Sequence, residues 1–292
     1  MHDAIIVGGS YAGLSAALML ARARRRVLIL DEGLRRNRAA AHAHGFLGQD
    51  GRDPAEVAAK GRAEVAAYPN AAFADALAEG AERTRGGFAV TDGTGARHEG
   101  RRLILAVGVT DRLPEVPGLA ERWGTRVFHC TYCHGYELGG GPIGVLASSD
   151  LSMHQALMLP DWGPVTFLLN GAFEPDEDER ASLEARGVAV ERERVARVTD
   201  AGVTLEDGRE VALDGLFTVT RTEVASPLAE SLGCAMVDEP LGRFIATDDQ
   251  KATTVPGVYA CGDAGRAAGS LTLAVGDGAT AGVAAHQSLI FG

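Results

Sequence analysis

Lysine is almost missing from this 292-residue chain, present only as Lys60 and Lys251, while arginine is plentiful. That bias points to a GC-rich genome and says nothing of chemistry. Positive charge is in deficit as well: 28 Lys and Arg face 39 Asp and Glu, for a formal net charge of −11 and a pI near 5.2. Such a chain projects no field that draws it to nucleic acid or anionic lipid. Its basic run, Arg22, Arg24, Arg25 and Arg26, reads as a solvated helix end. Long hydrophobic runs are lacking too, since Leu14 to Ala23 is too short for a bilayer and is broken by arginine. The chain opens Met1-His2-Asp3 and enters a strand at once, with no basic n-region and no small-residue cleavage site. A cytoplasmic location, with no membrane and no nucleic-acid partner, is expected. Cysteine is scarce, at four, and two of these form Cys-x-x-Cys. In a reducing compartment that pattern suggests catalysis or metal binding more than a structural staple.

What is present is an ordinary globular composition, 46% hydrophobic and 23% charged, with a mean hydropathy of +0.01. The length favours two domains over one. Ala4 to Val7 reads as a short apolar strand, Gly8 to Gly13 as a glycine-rich turn, Leu14 to Arg24 as a helix and Val27 to Leu30 as a second buried strand. A parallel sheet with helical crossovers follows. A second unit of the same kind runs through Ile143 to Ala147, Ser152 to Leu159 and Pro164 to Leu169. Its flanks, Thr110 to Gly118 and Asp238 to Arg243, carry the Pro, Gly and charge of inter-domain linkers. The expected fold is α/β, with two Rossmann-like three-layer domains. Residues 1–113 and 241–292 form the first, and residues 114–240 form the second, inserted in it.

Gly8-Gly9-Ser10-Tyr11-Ala12-Gly13 departs from G-x-G-x-x-G only in placing Ser10 at the second glycine. A serine is a small intrusion where the backbone approaches a pyrophosphate. A helix N-terminus near Gly13 would offer N–H groups and a positive dipole end to phosphates. Asp31 stands 23 residues beyond Gly8, at a strand end, where a carboxylate can bind ribose hydroxyls, and Glu32 is its neighbour. Taken alone the motif also fits a structural tight turn. Two further segments bear on the choice. Leu103-Ile104-Leu105-Ala106-Val107-Gly108 resembles the strand-plus-ATG segment that closes the FAD domain of the disulfide reductase superfamily. Val255-Pro256-Gly257-Val258-Tyr259-Ala260-Cys261-Gly262-Asp263 resembles that superfamily's second FAD motif, whose aspartate binds the ribityl or pyrophosphate region. The three segments occur in the family's order and imply FAD. They implicate Gly8, Ser10, Tyr11, Ala12, Gly13, Asp31, Glu32, Ala106, Gly108, Gly262 and Asp263 in holding it.

His129-Cys130-Thr131-Tyr132-Cys133-His134-Gly135 can bring two sulfurs close enough to bridge. A zinc knuckle would want a second Cys or His pair at ligand spacing, and only His129 and His134 are adjacent, so no metal is expected. The placement of the motif, inside the inserted domain and just before its Rossmann strand, resembles the low-molecular-weight thioredoxin reductases. The resemblance implies a homodimer in which Cys133 faces the flavin and Cys130 exchanges with substrate. Those reductases commonly carry aspartate after the second cysteine; here His134 stands there, able to take a proton from a substrate thiol or to serve as a loop residue. His129 is a second candidate base. Cys234 and Cys261 read as plain thiols.

The pattern breaks in the second domain. Where the reductases have G-x-G-x-x-A for NADPH, this chain has Ala147-Ser148-Ser149-Asp150-Leu151-Ser152, with no glycine. Where they have a basic cluster, Asn170-Gly171-Ala172-Phe173 is followed by Glu174, Asp176, Glu177, Asp178 and Glu179. A third expected glycine is replaced by Thr220-Arg221. NADPH binding is expected to be lost. The chain then resembles the dithiol oxidases of the thioredoxin reductase family, including those that close disulfides in gliotoxin- and holomycin-type metabolites. That implies oxidation of a small-molecule dithiol, or a protein thiol, with oxygen as acceptor and hydrogen peroxide as product. The alternative is an NADPH-dependent thioredoxin or small-disulfide reductase. A redox sensor that keeps FAD for structure is a third possibility, against which the intact Cys-x-x-Cys weighs.

Overall fold

The computed structural model describes residues 1–292. It divides into two compact units: unit 1 takes Met1–Arg38, Phe46–Thr110 and Thr222–Gly292, and unit 2 takes Ala39–Gly45 and Asp111–Arg221.

In chain order unit 1 begins with β1 (His2–Val7), α1 (Tyr11–Arg22), β2 (Val27–Leu30), α2 (Pro54–Ala66) and β3 (Ala71–Ala74). It continues through β4 (Ala78–Thr84), β5 (Gly87–Asp92) and β6 (Arg97–Leu105), and β7 (Val109–Arg112) runs across the boundary at Thr110/Asp111. Unit 2 holds β8 (Val127–Phe128), α3 (Thr131–His134), β9 (Ile143–Leu146), α4 (Ser152–Met158), β10 (Val165–Leu168), α5 (Glu177–Ala185) and β11 (Ala189–Glu191). A three-stranded meander, β12 (Val195–Thr199), β13 (Gly202–Leu205) and β14 (Glu210–Ala212), precedes β15 (Gly215–Thr218). The chain returns through β16 (Arg221–Val224), α6 (Leu228–Ser231), β17 (Met236–Glu239), β18 (Gly242–Ile245), β19 (Val258–Ala260) and α7 (Leu271–Phe291).

The main sheet of unit 1 has the order β3-β2-β1-β6-β5-β4, with β19 added to β6. β1, β2, β3, β6 and β19 are parallel, while β4 and β5 form an antiparallel arm. β1 reads as an unbroken apolar run because both faces are covered. Ala4 and Ile6 point into a core with Ala16, Leu20 and Ala281, and Ile5 and Val7 into a second with Leu103, Leu105 and Val258. α1 and α7 approach closely where Gly278 lies on the Ala12 carbonyl, so small residues set their separation. Unit 2 has a wholly parallel sheet, β11-β10-β9-β15-β8, whose β9 likewise buries Val145 on one side and Leu146 on the other.

The α/β class and the insertion are as expected; three local expectations differ. The first helix begins at Tyr11, not beyond Gly13, because Ser10 takes an extended N-cap conformation and Leu14 N–H already bonds the Ser10 carbonyl. Asp238 to Arg243 is the closing end of the β17–β18 hairpin, paired across the turn at 240–241, and the return crossing falls at Arg221/Thr222 rather than at 240/241. Turn chemistry and linker chemistry use the same residues, which is why composition misplaces that boundary. Residues 39–45, inside the expected first domain, group with unit 2.

Candidate active site

In unit 1 the parallel strands β1, β6 and β19 end side by side, and the glycine segments sit at their carboxyl ends, the usual place for a ligand in such sheets. Gly8 has φ +100°, and a Cβ there would overlap the Ala106 carbonyl oxygen. A Cβ on Gly13 would overlap the Gly8 carbonyl oxygen and stand 3.3 Å from the Ala106 Cβ. Gly8, Gly13 and Ala106 are therefore one packed corner. Ser10 makes no side-chain capping bond, which leaves the first N–H groups of α1 without side-chain acceptors. The Gly9 N–H donates to Asp31 Oδ1 at 3.1 Å, so Asp31 fastens the glycine turn to the end of β2. Glu32 is exposed. Tyr11 turns away from the turn: its hydroxyl donates to the Pro54 carbonyl at 2.8 Å and accepts from Asn37 Nδ2 at 3.2 Å. Gly108 has φ +67° with open space on its Cβ side. Gly262, at φ +70°, lies against Ala12, and Asp263 follows it in a short 3-10 turn, Gly262–Gly265.

In unit 2 Cys130 and Cys133 are joined, with Cα atoms 5.3 Å apart, and both are half-buried. Cys130 is the N-cap of the one-turn helix α3, whose last two residues are Cys133 and His134. His134 stacks on Phe128 with ring centroids 4.2 Å apart and planes at 16°. Both its ring nitrogens are buried without a hydrogen-bond partner of good geometry. Burial pushes the His134 imidazole below its ordinary value, His44 adds to the lowering, and the Glu137 carboxylate and the Cys130 backbone oppose it. The His129 ring instead stacks on Trp123 at 5.8 Å, and its carbonyl accepts from Gln155 Nε2 at 2.7 Å. Gly135 is required because a Cβ would meet the Trp162 indole at 2.9 Å. Tyr132 stands edge-on to that indole and is 73% exposed.

The profile of the pyridine nucleotide-disulphide oxidoreductase family matches residues 2–278. The chain belongs to this family. Among curated relatives it is similar to thioredoxin reductase tcpT of Claviceps purpurea, 33% identical over 304 residues that cover 99% of this chain and 94% of that one. Among solved structures it is similar to an oxidoreductase from Agrobacterium tumefaciens, with 53% identity, a TM-score of 0.97 and 99% of both chains covered. It is also similar to HlmI, with 37% identity, a TM-score of 0.93 and 99% and 92% of the two chains covered.

This disulfide oxidoreductase therefore has the two-domain thioredoxin reductase-like fold, and membership brings FAD binding with it. The unit 1 corner fits the cofactor. It combines a glycine turn that no side chain could occupy, a free helix N-terminus, and buried polar atoms without protein partners at Asn37 Oδ1 and Arg35 Nε. That Arg35, Arg36 and Asn37 come to this corner was not legible from sequence; only their place just after β2 and the Asp31-Glu32 pair could have hinted at it. Arg36 Nη1 lies 2.9 Å from Asp263 Oδ2.

The unit 2 loop after β9 is closed on itself. The Ser148 N–H donates to Ser152 Oγ at 3.1 Å, Ser148 Oγ donates to the Val219 carbonyl at 2.8 Å, and the Leu151 N–H donates to Ser149 Oγ at 3.3 Å. The acidic run beyond β10 has a structural use. Asp176 and Glu179 form a reciprocal capping box at the start of α5, and Glu174 pairs with Arg192 at 3.0 Å. Arg221 is exposed at the start of β16, and Thr220 Oγ1 donates to Asp111 at 2.8 Å. No helix is long and apolar enough to cross a membrane.

Proposed function

We propose that the chain is an FAD-dependent dithiol oxidase, which closes disulfides in a small-molecule dithiol or a protein thiol pair and passes the electrons to oxygen. The observation that carries this reading is the loop after β9. Its serine hydroxyls are engaged with backbone groups, and the acidic residues behind β10 cap a helix, so neither is arranged for the phosphates of NADPH. Electrons then enter from thiols. Bound FAD supplies the two-electron acceptor for the reduced cysteine pair and the site at which oxygen becomes hydrogen peroxide.

The chain's own residues do the thiol chemistry. His134 takes the proton of the first substrate thiol. The resulting thiolate bonds to Cys130 Sγ as the Cys130–Cys133 bond breaks, and Cys133 leaves as a thiolate. The second substrate thiol attacks the mixed disulfide, which releases the closed product and leaves both cysteines reduced, two electrons richer. Cys133 is the thiol assigned to the flavin. His129, held on Trp123, is the second candidate base. The proposal includes a homodimer working in the cytoplasm.

The competing reading, an NADPH-dependent thioredoxin or small-disulfide reductase, is favoured by the name that tcpT carries. Anaerobic mixing of the flavin-loaded protein with dithiothreitol, NADPH and NADH in turn decides between them. Bleaching by dithiothreitol alone, with peroxide on admitting air, is the expected result. Fast bleaching by NADPH would replace the proposal with the reductase.

A further inference from the structure

His134 is surrounded by more ionisable groups than its own helix provides. From α3 it faces the backbone of Cys130 and the disulfide it adjoins; from β8 the Phe128 ring stacks on it. From the turn Tyr136–Leu138 comes Glu137, and from residues 39–45, far upstream in sequence but part of the same unit, comes His44. His44 Nε2 and Glu137 Oε1 lie 3.4 Å apart, with His44 mostly buried and Glu137 more open to solvent. The His42 ring stands beyond, 6.3 Å from that of His44. A buried imidazole whose two nitrogens lack a hydrogen bond of good geometry loses much of its hydration, so the charges beside it weigh on its protonation.

We propose that the His44–Glu137 pair tunes the protonation of His134 against the lowering that burial imposes, and thereby shifts the pH range over which His134 can accept a thiol proton. The proposal rests on the reading of His134 as the base. Glu137 stabilises the imidazolium. A charged His44 opposes it twice, by direct repulsion and by neutralising Glu137. Glu137 and His44 are thus positioning residues, acting through His134 and not touching the reacting sulfurs.

The test is an NMR titration of 15N-histidine-labelled holoprotein with its disulfide intact, the His134 signals being assigned by their loss in His134→Gln. Glu137→Gln is expected to lower the His134 midpoint and His44→Asn to raise it, each by ~0.5–1 pH unit, a three- to ten-fold change in the imidazolium ratio. His44→Gln, with flavin content as a check on folding, guards against a loss of fold in His44→Asn. The acid limb of anaerobic bleaching by dithiothreitol is expected to move with each midpoint. Midpoints unmoved in the folded variants overturn the proposal, even if His134→Gln slows bleaching and the base survives. Midpoints that shift in opposite directions while His134→Gln bleaches at the normal rate uphold the pair and remove the base.

Discussion

Arg36 and Asp263, 227 residues apart in sequence, meet with Nη1 and Oδ2 separated by 2.9 Å. One follows β2 and the other follows β19, so the pair ties the first βαβ unit of unit 1 to the short turn after β19. Both side chains are about a quarter exposed, which tempers the strength of the pair without removing its directing effect.

Arg36→Ala should free the Asp263 carboxylate and weaken FAD retention about ten-fold, in line with ~1–2 kcal/mol for a partly exposed charged hydrogen bond. Release of fluorescent flavin on dilution measures it. An unchanged dissociation constant would show that Asp263 is held without Arg36.

Gly13→Ala and Gly8→Ala should each lose flavin and stability, by at least ~1–3 kcal/mol, because the added Cβ meets carbonyl oxygens that cannot move aside. Gly61→Ala, inside α2, is the contrast. Its Cβ would meet only the end of Leu14 at 3.3 Å, and a helix interior gains up to ~1 kcal/mol from alanine. Thermal melts with flavin quantitation separate the two classes, and equal effects at all three positions would argue against the packed corner.

The dithiol half-reaction should keep its rate to below pH 6.5, because burial lowers the His134 imidazole from that ordinary value and keeps it in its basic form at lower pH. His134→Gln should remove the acid limb and slow anaerobic bleaching by a factor on the order of 10² or more. A limb that persists in the variant would transfer the role to His129.

Asp92 should stabilise unit 1 in a pH-dependent way. Hydrogen bonds from His98 at 2.8 Å and from the Thr94 hydroxyl at 2.6 Å, with the Thr94 and Ala96 N–H groups, hold this buried carboxyl far below the usual carboxylate range. A depressed carboxyl contributes stability that is present above its unfolded value, ~pH 4, and lost as pH falls through its folded value. The gap in Tm between the native protein and Asp92→Asn should therefore be full at neutral pH and narrow steadily below ~pH 4. A gap independent of pH would show that packing, not charge, is lost.

Cys261 should resist alkylation in the folded protein, since burial, helped by the Asp277 carboxylate, pushes its thiol up to about 12. Cys234, which is buried and likewise pushed up by burial, should behave alike. Mass spectra after iodoacetamide are expected to show no label without reductant, and two labels, at Cys130 and Cys133, after dithiothreitol. Labelling of Cys261 without denaturant would mean that the β19 end opens readily.

Much of this architecture was legible in residue order. The strands read at Ala4–Val7, Val27–Leu30 and Ile143–Ala147 announce themselves as apolar runs because each lies inside a parallel sheet covered on both faces. Gly8 and Gly13 are dictated by backbone contacts that only glycine permits, and the spacing of Cys130 and Cys133 allows the bond that the structure shows. These are local requirements, written over a few residues of chain. The start of α1 and the return crossing at Arg221/Thr222 were not legible, because caps, hairpin turns and linkers draw on one vocabulary of residues. Arg36 against Asp263, and His44 with Glu137 beside His134, leave no local pattern at all. Such pairs form when sheets and loops bring distant segments together, and a charge leaves no periodic mark of the partner it will meet. The sequence by itself determined the class of fold and the glycine turn, and offered the cysteine pair that the structure joins; only the tertiary structure decided which charged groups surround them.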